Sequence, residues 1–120
     1  MENKTYVVVG NSPNLDRYWY RIYKDLKKYG LKVYCVNPKI AAAEGETFYP
    51  DLESLPVKPD SMILVTRPDI SAAMVDKAIE MGYKEIWFQP GACDQDAAQK
   101  ARQAGLSVYE DCFMLYNDIW

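Results

Sequence analysis

Hydrophobic residues come along this chain in short blocks with two different spacings. Thr5–Val9, Leu31–Val36, Ser61–Val65, Glu85–Phe88 and Leu106–Tyr109 are compact runs rich in β-branched and aromatic residues, the composition of strands. Ser61–Val65 does not alternate with polar residues, as expected of a strand covered on both faces. Between these runs, Leu15–Tyr29, Ile70–Met81 and Asp94–Ala104 carry helical patterns; on the first, Tyr18, Ile22, Leu26 and Tyr29 recur near helical spacing. Gly30, Gly82 and Gly105 follow the helical stretches, where a glycine can leave the helix in a left-handed conformation. From Asn37-Pro38-Lys39 a longer irregular segment passes Gly45, Tyr49 and Pro50 and reaches a short helical turn at Leu52–Leu55.

Strands that alternate with helices of about ten residues pair in parallel through right-handed crossovers. The predicted fold is therefore α/β: a doubly wound, five-stranded parallel sheet of order 3-2-1-4-5 in three α/β/α layers, filling residues 1–120 as one domain. In such a sheet, ligands sit beyond the carboxyl ends of the strands at the point where strand order reverses, here expected between the first and fourth strands. The turns that leave the strands converge on that edge. They read Gly10-Asn11-Ser12-Pro13-Asn14, Asn37-Pro38-Lys39, Thr66-Arg67-Pro68-Asp69 and Gln89-Pro90-Gly91-Ala92.

Composition narrows the chemistry. A net charge of −3 and an isoelectric point near 4.9 argue against a general nucleic-acid binder, so any anion site must be local. No apolar run approaches the ~20 residues of a membrane span, and Met1-Glu2-Asn3-Lys4 does not resemble a secretory leader. Three scattered cysteines, Cys35, Cys93 and Cys112, fit a reducing cytoplasm better than a disulfide framework. The absence of histidine removes Ser-His-Asp and Cys-His nucleophile pairs together with the commonest metal ligand, and no C-x-x-C suggests zinc. Asp94 and Asp96 read as helix-start residues that complement the dipole. Cys112, beside Asp111, reads as a buried or half-buried structural thiol.

The first turn departs from the dinucleotide fingerprint G-x-G-x-x-G, since only Gly10 is present and Ser12 and Leu15 stand at the other glycine positions. Gly10 would let backbone approach a ligand, Ser12 could donate its hydroxyl to a phosphate, and Arg17 could add charge. The alternatives are that Ser12 caps the helix with Pro13 at its first position, and that Arg17 is a solvated helix residue. At the end of the second strand, where NAD-binding folds carry a carboxylate for the ribose, this chain has Asn37-Pro38-Lys39. With Arg67 nearby, Lys39 suits a phosphorylated nucleotide other than NAD.

Gly10-x-Ser12-Pro13, Val36-Asn37-Pro38-Lys39, Arg67-Pro68, Trp87-x-Gln89-x-Gly91 and the late Asp111-Cys112 resemble the small stand-alone CoA-binding domain proteins. These are relatives of the CoA-binding domain of succinyl-CoA synthetase alpha subunits. The resemblance spans nearly the whole chain; Pro90 and the tail after Cys112 depart from it. It implies a Rossmann-like domain whose cofactor is coenzyme A or an acyl-CoA. By position it implies Gly10, Ser12, Pro13 and Arg17 at the phosphate turn, and Asn37, Pro38 and Lys39 on the nucleotide side. Thr66, Arg67 and Pro68 would line the third-strand turn, and Gln89 and Gly91 the fourth. It also permits a mixed disulfide between Cys112 and the CoA thiol.

The expected function is a non-catalytic CoA-binding or regulatory module. An NADP-binding oxidoreductase subunit or fragment, and a protein-interaction module with a vestigial pocket, stay open. Tyr18, Trp19, Tyr20 and Tyr23 crowd the first helix; Tyr18 and Ile22 are expected in the core, while Trp19 and Tyr23 are candidates for a homodimer or protein-partner surface.

Overall fold

A computed structural model of the protein describes residues 3–120. The strands are β1 (Thr5–Val9), β2 (Lys32–Val36), β3 (Ala42–Ala43), β4 (Glu46–Thr47), β5 (Ser61–Leu64), β6 (Glu85–Phe88) and β7 (Ser107–Tyr109). The helices are α1 (Tyr18–Lys28), α2 (Pro68–Met81), α3 (Gln95–Gln103) and the single-turn α4 (Phe113–Tyr116), with a 3-10 turn at Leu52–Ser54. A five-stranded parallel sheet in the order β2-β1-β5-β6-β7 forms the middle layer. Alternate side chains of its strands point to opposite faces. Val7, Val9, Met62, Leu64, Ile86 and Phe88 pack beneath α2 and α3, while Tyr6, Val8, Cys35, Ile63 and Trp87 pack beneath α1 and α4. The expected α/β/α layering is thus present.

The sheet is consistent with the predicted 3-2-1-4-5 pattern, with different segments in the third and fourth places. Ser61–Leu64 does not lie outside β2; it pairs directly with β1, Val8 opposite Ile63. The outer place beside β2 is taken by a single residue, Tyr49, which bridges Val36 in parallel. Its N–H donates to Cys35 O at 2.9 Å and its carbonyl accepts from Asn37 N at 2.8 Å. Counted as a third strand, Tyr49 gives the sheet a 3-2-1-4-5 pattern in which β5 is the fourth strand. Pro50, without an N–H, cannot extend the ladder, so this strand is too short to show in sequence. The reversal of strand order therefore lies between β1 and β5, rather than between β1 and Glu85–Phe88.

Helix α1 begins at Tyr18, later than the predicted Leu15, and its apolar stripe is also displaced. The buried positions are Trp19, Tyr20, Ile22, Tyr23 and Leu26, while Tyr18 is 63% exposed, so Tyr18 is not core and Trp19 and Tyr23 are not surface. Two registers fit the same run of aromatics, and the one spaced i, i+3, i+4, i+7 is the one realised. Trp19, Tyr20 and Tyr23 close around Phe48 behind the β3–β4 hairpin, which replaces part of the expected irregular segment. That hairpin turns on Glu44 (φ 51°) and Gly45 (φ 82°), the two positive angles of a type I′ turn. Tyr20 Oη donates to Glu44 and Tyr23 Oη to Glu46, the latter at 2.7 Å. Burial and the Glu44 carboxylate push the Tyr20 hydroxyl up to about 12, so it stays a donor.

Gly10 follows β1 with no room for a side chain. A Cβ there would lie 2.6 Å from Trp19 Cγ and 2.8 Å from Trp19 Cβ, inside contact distance. The glycine lets the first helix seat its indole against the end of the first strand. G10A is accordingly expected to lose about 1–3 kcal/mol in equilibrium urea unfolding, the usual cost of overpacking. An unchanged midpoint would mean the indole retreats freely.

At the opposite end of the sheet, Glu85 is 9% exposed; it accepts from Trp87 Nε1 at 2.9 Å and pairs with Lys4 Nζ at 2.9 Å. Burial pushes its carboxyl up, but the bonds from Trp87 and Lys4 and the charge of Lys4 hold it below the ordinary value of 4.5. This contribution to stability is complete above that value and lost as pH falls through the lower native one. E85Q is expected to lower the melting temperature at neutral pH and to flatten its acid decline, followed between about pH 3 and 7.

Candidate functional site

Two cavities open at the carboxyl edge of the sheet, on either side of the Gly10–Asn11 turn. The larger, a cleft of about 480 Å³, is walled by the turns after β1, β2, β5 and β6. It brings together Ser12, Arg17, Lys39, Thr66, Arg67, Pro68, Gln89 and Gly91 from the sequence-derived set, and adds Asn11, Tyr18, Trp19, Val65, Pro90 and Ala92. The smaller, a slot of about 190 Å³, takes in Gly10 and Pro38. Its walls are Val9, Val36, Pro50, Leu52, Ile70 and Met74, with Asp51, Glu53 and Lys77 at hand. Lys77 Nζ meets Glu53 Oε2 at 2.8 Å, tying α2 to the 3-10 turn beside the slot. Asn11 lines both cavities.

Pro13 and Asn37 line neither cavity. Pro13 is exposed in the turn. Asn37 is buried at 1%, its Nδ2 donating to Ser12 O at 2.9 Å and its Oδ1 accepting from Lys39 N at 2.9 Å. It clamps the first two turns to each other and so sets where Ser12 and Lys39 stand.

Ser12 does not cap α1. Its Oγ accepts from Asn14 N at 3.1 Å, a turn closed over two residues. The Asn14 carbonyl, which a helix continued backward would use for its own amides, instead accepts from Trp19 Nε1 at 3.2 Å. The helix therefore starts after Arg17, which sits at the N-cap without a side-chain cap bond. First-turn amides are left uncapped next to the cleft, where helix N-termini favour anions.

The turn after β6 is set by two residues. Ala92 N donates to Gln89 O at 2.8 Å, with Pro90 and Gly91 (φ 86°) between, which is the pattern of a type II turn. Gln89 lines the cleft, yet its amide faces the C-terminal segment: Oε1 accepts from Phe113 N at 2.7 Å and Nε2 reaches Cys112 Sγ at 3.4 Å. Cys112 is buried, as the sequence suggested, and stands at the start of α4 rather than in the cleft wall. Thr66 Oγ1 lies 2.7 Å from Ser71 Oγ, a bond that holds the turn after β5 against α2.

Charge is asymmetric here. No carboxylate, thiol or imidazole is among the described residues lining the cleft, which carries Arg17, Lys39 and Arg67. Among the described residues, Arg17 and Lys39 have no carboxylate within ion-pair distance. Arg67 is forked onto Asp69, Nε to Oδ1 at 3.2 Å and Nη2 to Oδ2 at 3.1 Å. Desolvation pushes the Asp69 carboxyl up, but the bonds and charge of Arg67 hold it below its ordinary value. No group of metal-ligating side chains is found among the described residues.

Sequence reasoning missed the slot because its walls come from four separate parts of the chain: the ends of β1 and β2, the 3-10 turn and α2. Ile70, Met74 and Lys77 follow one another at helical spacing on α2 and read as an ordinary helix face. Trp19 falls outside the expected set because its burial depends on the register of α1, which the run of aromatics leaves open.

The family model described as CoA binding domain matches residues 4–118. A protein from Pyrococcus horikoshii OT3 superposes with a TM-score of 0.87 at 33% identity, over 96% of this chain and 82% of that one. The ADP-forming acetate–CoA ligase I of Archaeoglobus fulgidus is 27% identical over 128 residues, which is 95% of this chain and 18% of that enzyme. The chain thus spans less than a fifth of the curated relative it matches. The dinucleotide-forming acetyl-coenzyme A synthetase 1 of Ca. Korarchaeum cryptofilum, solved with phosphate and ADP, shares the fold at a TM-score of 0.78 and 22% identity, over 92% of this chain and 26% of that one. Matched from Lys4 to Asp118, the chain belongs to the CoA-binding domain family.

Proposed function

We propose that the protein binds coenzyme A or an acyl-CoA across the cleft and slot, as a binding or regulatory module without a reaction of its own. One observation carries the reading: Arg17, Lys39 and Arg67, from three different turns, stand around one cleft of a protein whose net charge is −3. A cationic cleft on an acidic protein is suited to a local polyanion, and the phosphates of CoA supply one. The slot beside it, largely apolar and about 190 Å³, suits a flat heterocycle such as adenine. Asn11, shared by both cavities, stands where the chain joining base and phosphates would cross. The three free thiols are consistent with a cytoplasmic setting, and no helix among the described residues is long and apolar enough to cross a membrane.

An NADP-binding subunit would use the same lysine and the same missing carboxylate after β2. Family membership favours CoA. A protein-interaction module with an empty pocket would respond to neither.

A thermal-shift panel of CoA, acetyl-CoA, NADP and ADP separates the three readings. Selective stabilisation by CoA or acetyl-CoA is expected, worth about 2.7 kcal/mol at a hundredfold excess over Kd. Selective response to NADP would favour the oxidoreductase reading, and a flat panel the interaction reading. By calorimetry, K39A is expected to weaken CoA binding about five- to thirtyfold, with R67A weakening it less because its guanidinium is already engaged. Unchanged affinity in both variants would overturn the assignment of the phosphate contacts.

A further inference from the structure

The ion pairs of this protein mostly join one element to another. Lys4–Glu85, Lys27–Glu46, Lys77–Glu53, Lys100–Asp76 and Arg102–Glu110 each connect distinct parts of the chain. Arg67–Asp69 joins nothing, since its partners are two residues apart at the start of α2, with side chains 74% and 68% exposed. Yet it has the most ordered geometry available to such a pair. Two nitrogens of the guanidinium meet two oxygens of the carboxylate, at 3.2 and 3.1 Å. That fork is also the geometry in which a guanidinium holds two oxygens of a phosphate. Arg67 lines the cleft and Asp69 does not.

Resting on the CoA reading of the cleft, we propose that Asp69 is a built-in competitor for the anion site: its carboxylate fills the fork of Arg67 until a ligand phosphate displaces it. The exchange is easily reversed. An exposed pair of this kind is worth little, so a phosphate of higher charge, held at the same time by Lys39 and Arg17, replaces the carboxylate at small cost. Once displaced, the carboxylate is left in solvent, where it is well hydrated. Asp69 thereby sets a threshold: ligands that present a phosphate together with the rest of the molecule gain Arg67, and isolated monoanions do not. The same residue also complements the dipole of α2 as an acidic group in its first turn, and that role alone predicts no effect on ligand affinity through Arg67.

A double-mutant cycle in the full chain separates the two roles, with CoA as the titrant at low and high salt. D69N is expected to bind CoA about two- to fivefold more tightly than the natural chain at low salt, with the gain shrinking at high salt. In the R67A background the same substitution is expected to give no gain. D69S, equally neutral, should bind CoA as D69N does, and both should show the same small drop in unliganded melting temperature from losing the first-turn acid. Unchanged or weaker binding by D69N, or a gain that persists undiminished in R67A, would overturn the competitor role while leaving the CoA reading standing. A natural chain that does not bind CoA in the same titration would overturn both.

Discussion

The seating of Trp19 against Gly10 is the contact on which the shape of the functional edge depends. Because Gly10 has no side chain, the indole packs directly on the end of β1, and its Nε1 takes the Asn14 carbonyl. These two constraints push the start of α1 out to Tyr18 and leave Asn11–Arg17 as a shaped turn. That turn lines the cleft, and its Gly10–Asn11 end also meets the slot. In the dinucleotide fingerprint the third glycine serves close helix-to-strand packing. Here the same requirement falls on the glycine at the end of the strand, which is why the fingerprint is incomplete and the packing is not.

A second constraint is electrostatic. The protein carries more acids than bases, but many of its carboxylates are engaged away from the cleft, in pairs that hold helices and hairpin in place. Glu46 is held down by Lys27 and Tyr23, and Glu110 by Arg102 and Gln95. The cleft side of the turns is left with arginine and lysine. Positive potential at one edge thus coexists with net negative charge, without a basic face of the kind that binds nucleic acid.

The layered fold was legible because its signals are local and redundant: β-branched runs, helical spacing and a glycine after each of the three longer helices. The glycine after α2 shows why: Gly82, at φ 78°, lets its own N–H and that of Tyr83 return to the Ile79 and Ala78 carbonyls. What the sequence hid were features decided at a distance. A one-residue strand at Tyr49 has no pattern to read. The hairpin at Glu44-Gly45 lacks the asparagine or aspartate that usually announces a type I′ turn. In a helix with aromatics at four of its first six positions, Tyr18, Trp19, Tyr20 and Tyr23, composition alone cannot say which face is buried. The convergence of Ser12, Lys39 and Arg67 on one cleft was readable because doubly wound topology sends the turns after the strands to one edge. The engagement of Asn37 and Gln89 by neighbouring backbone was not, since it depends on which way an amide turns.

The central claim is that this edge, and no other surface, receives CoA. Amide chemical-shift mapping of the labelled protein during titration with CoA tests it residue by residue. The account predicts that the largest changes fall on Asn11 to Tyr18, Lys39, Thr66, Arg67 and Gly91, with smaller ones around Leu52 and Met74. Changes centred instead on Tyr29, or on Leu115 and Tyr116, or no changes at saturating ligand, would contradict it.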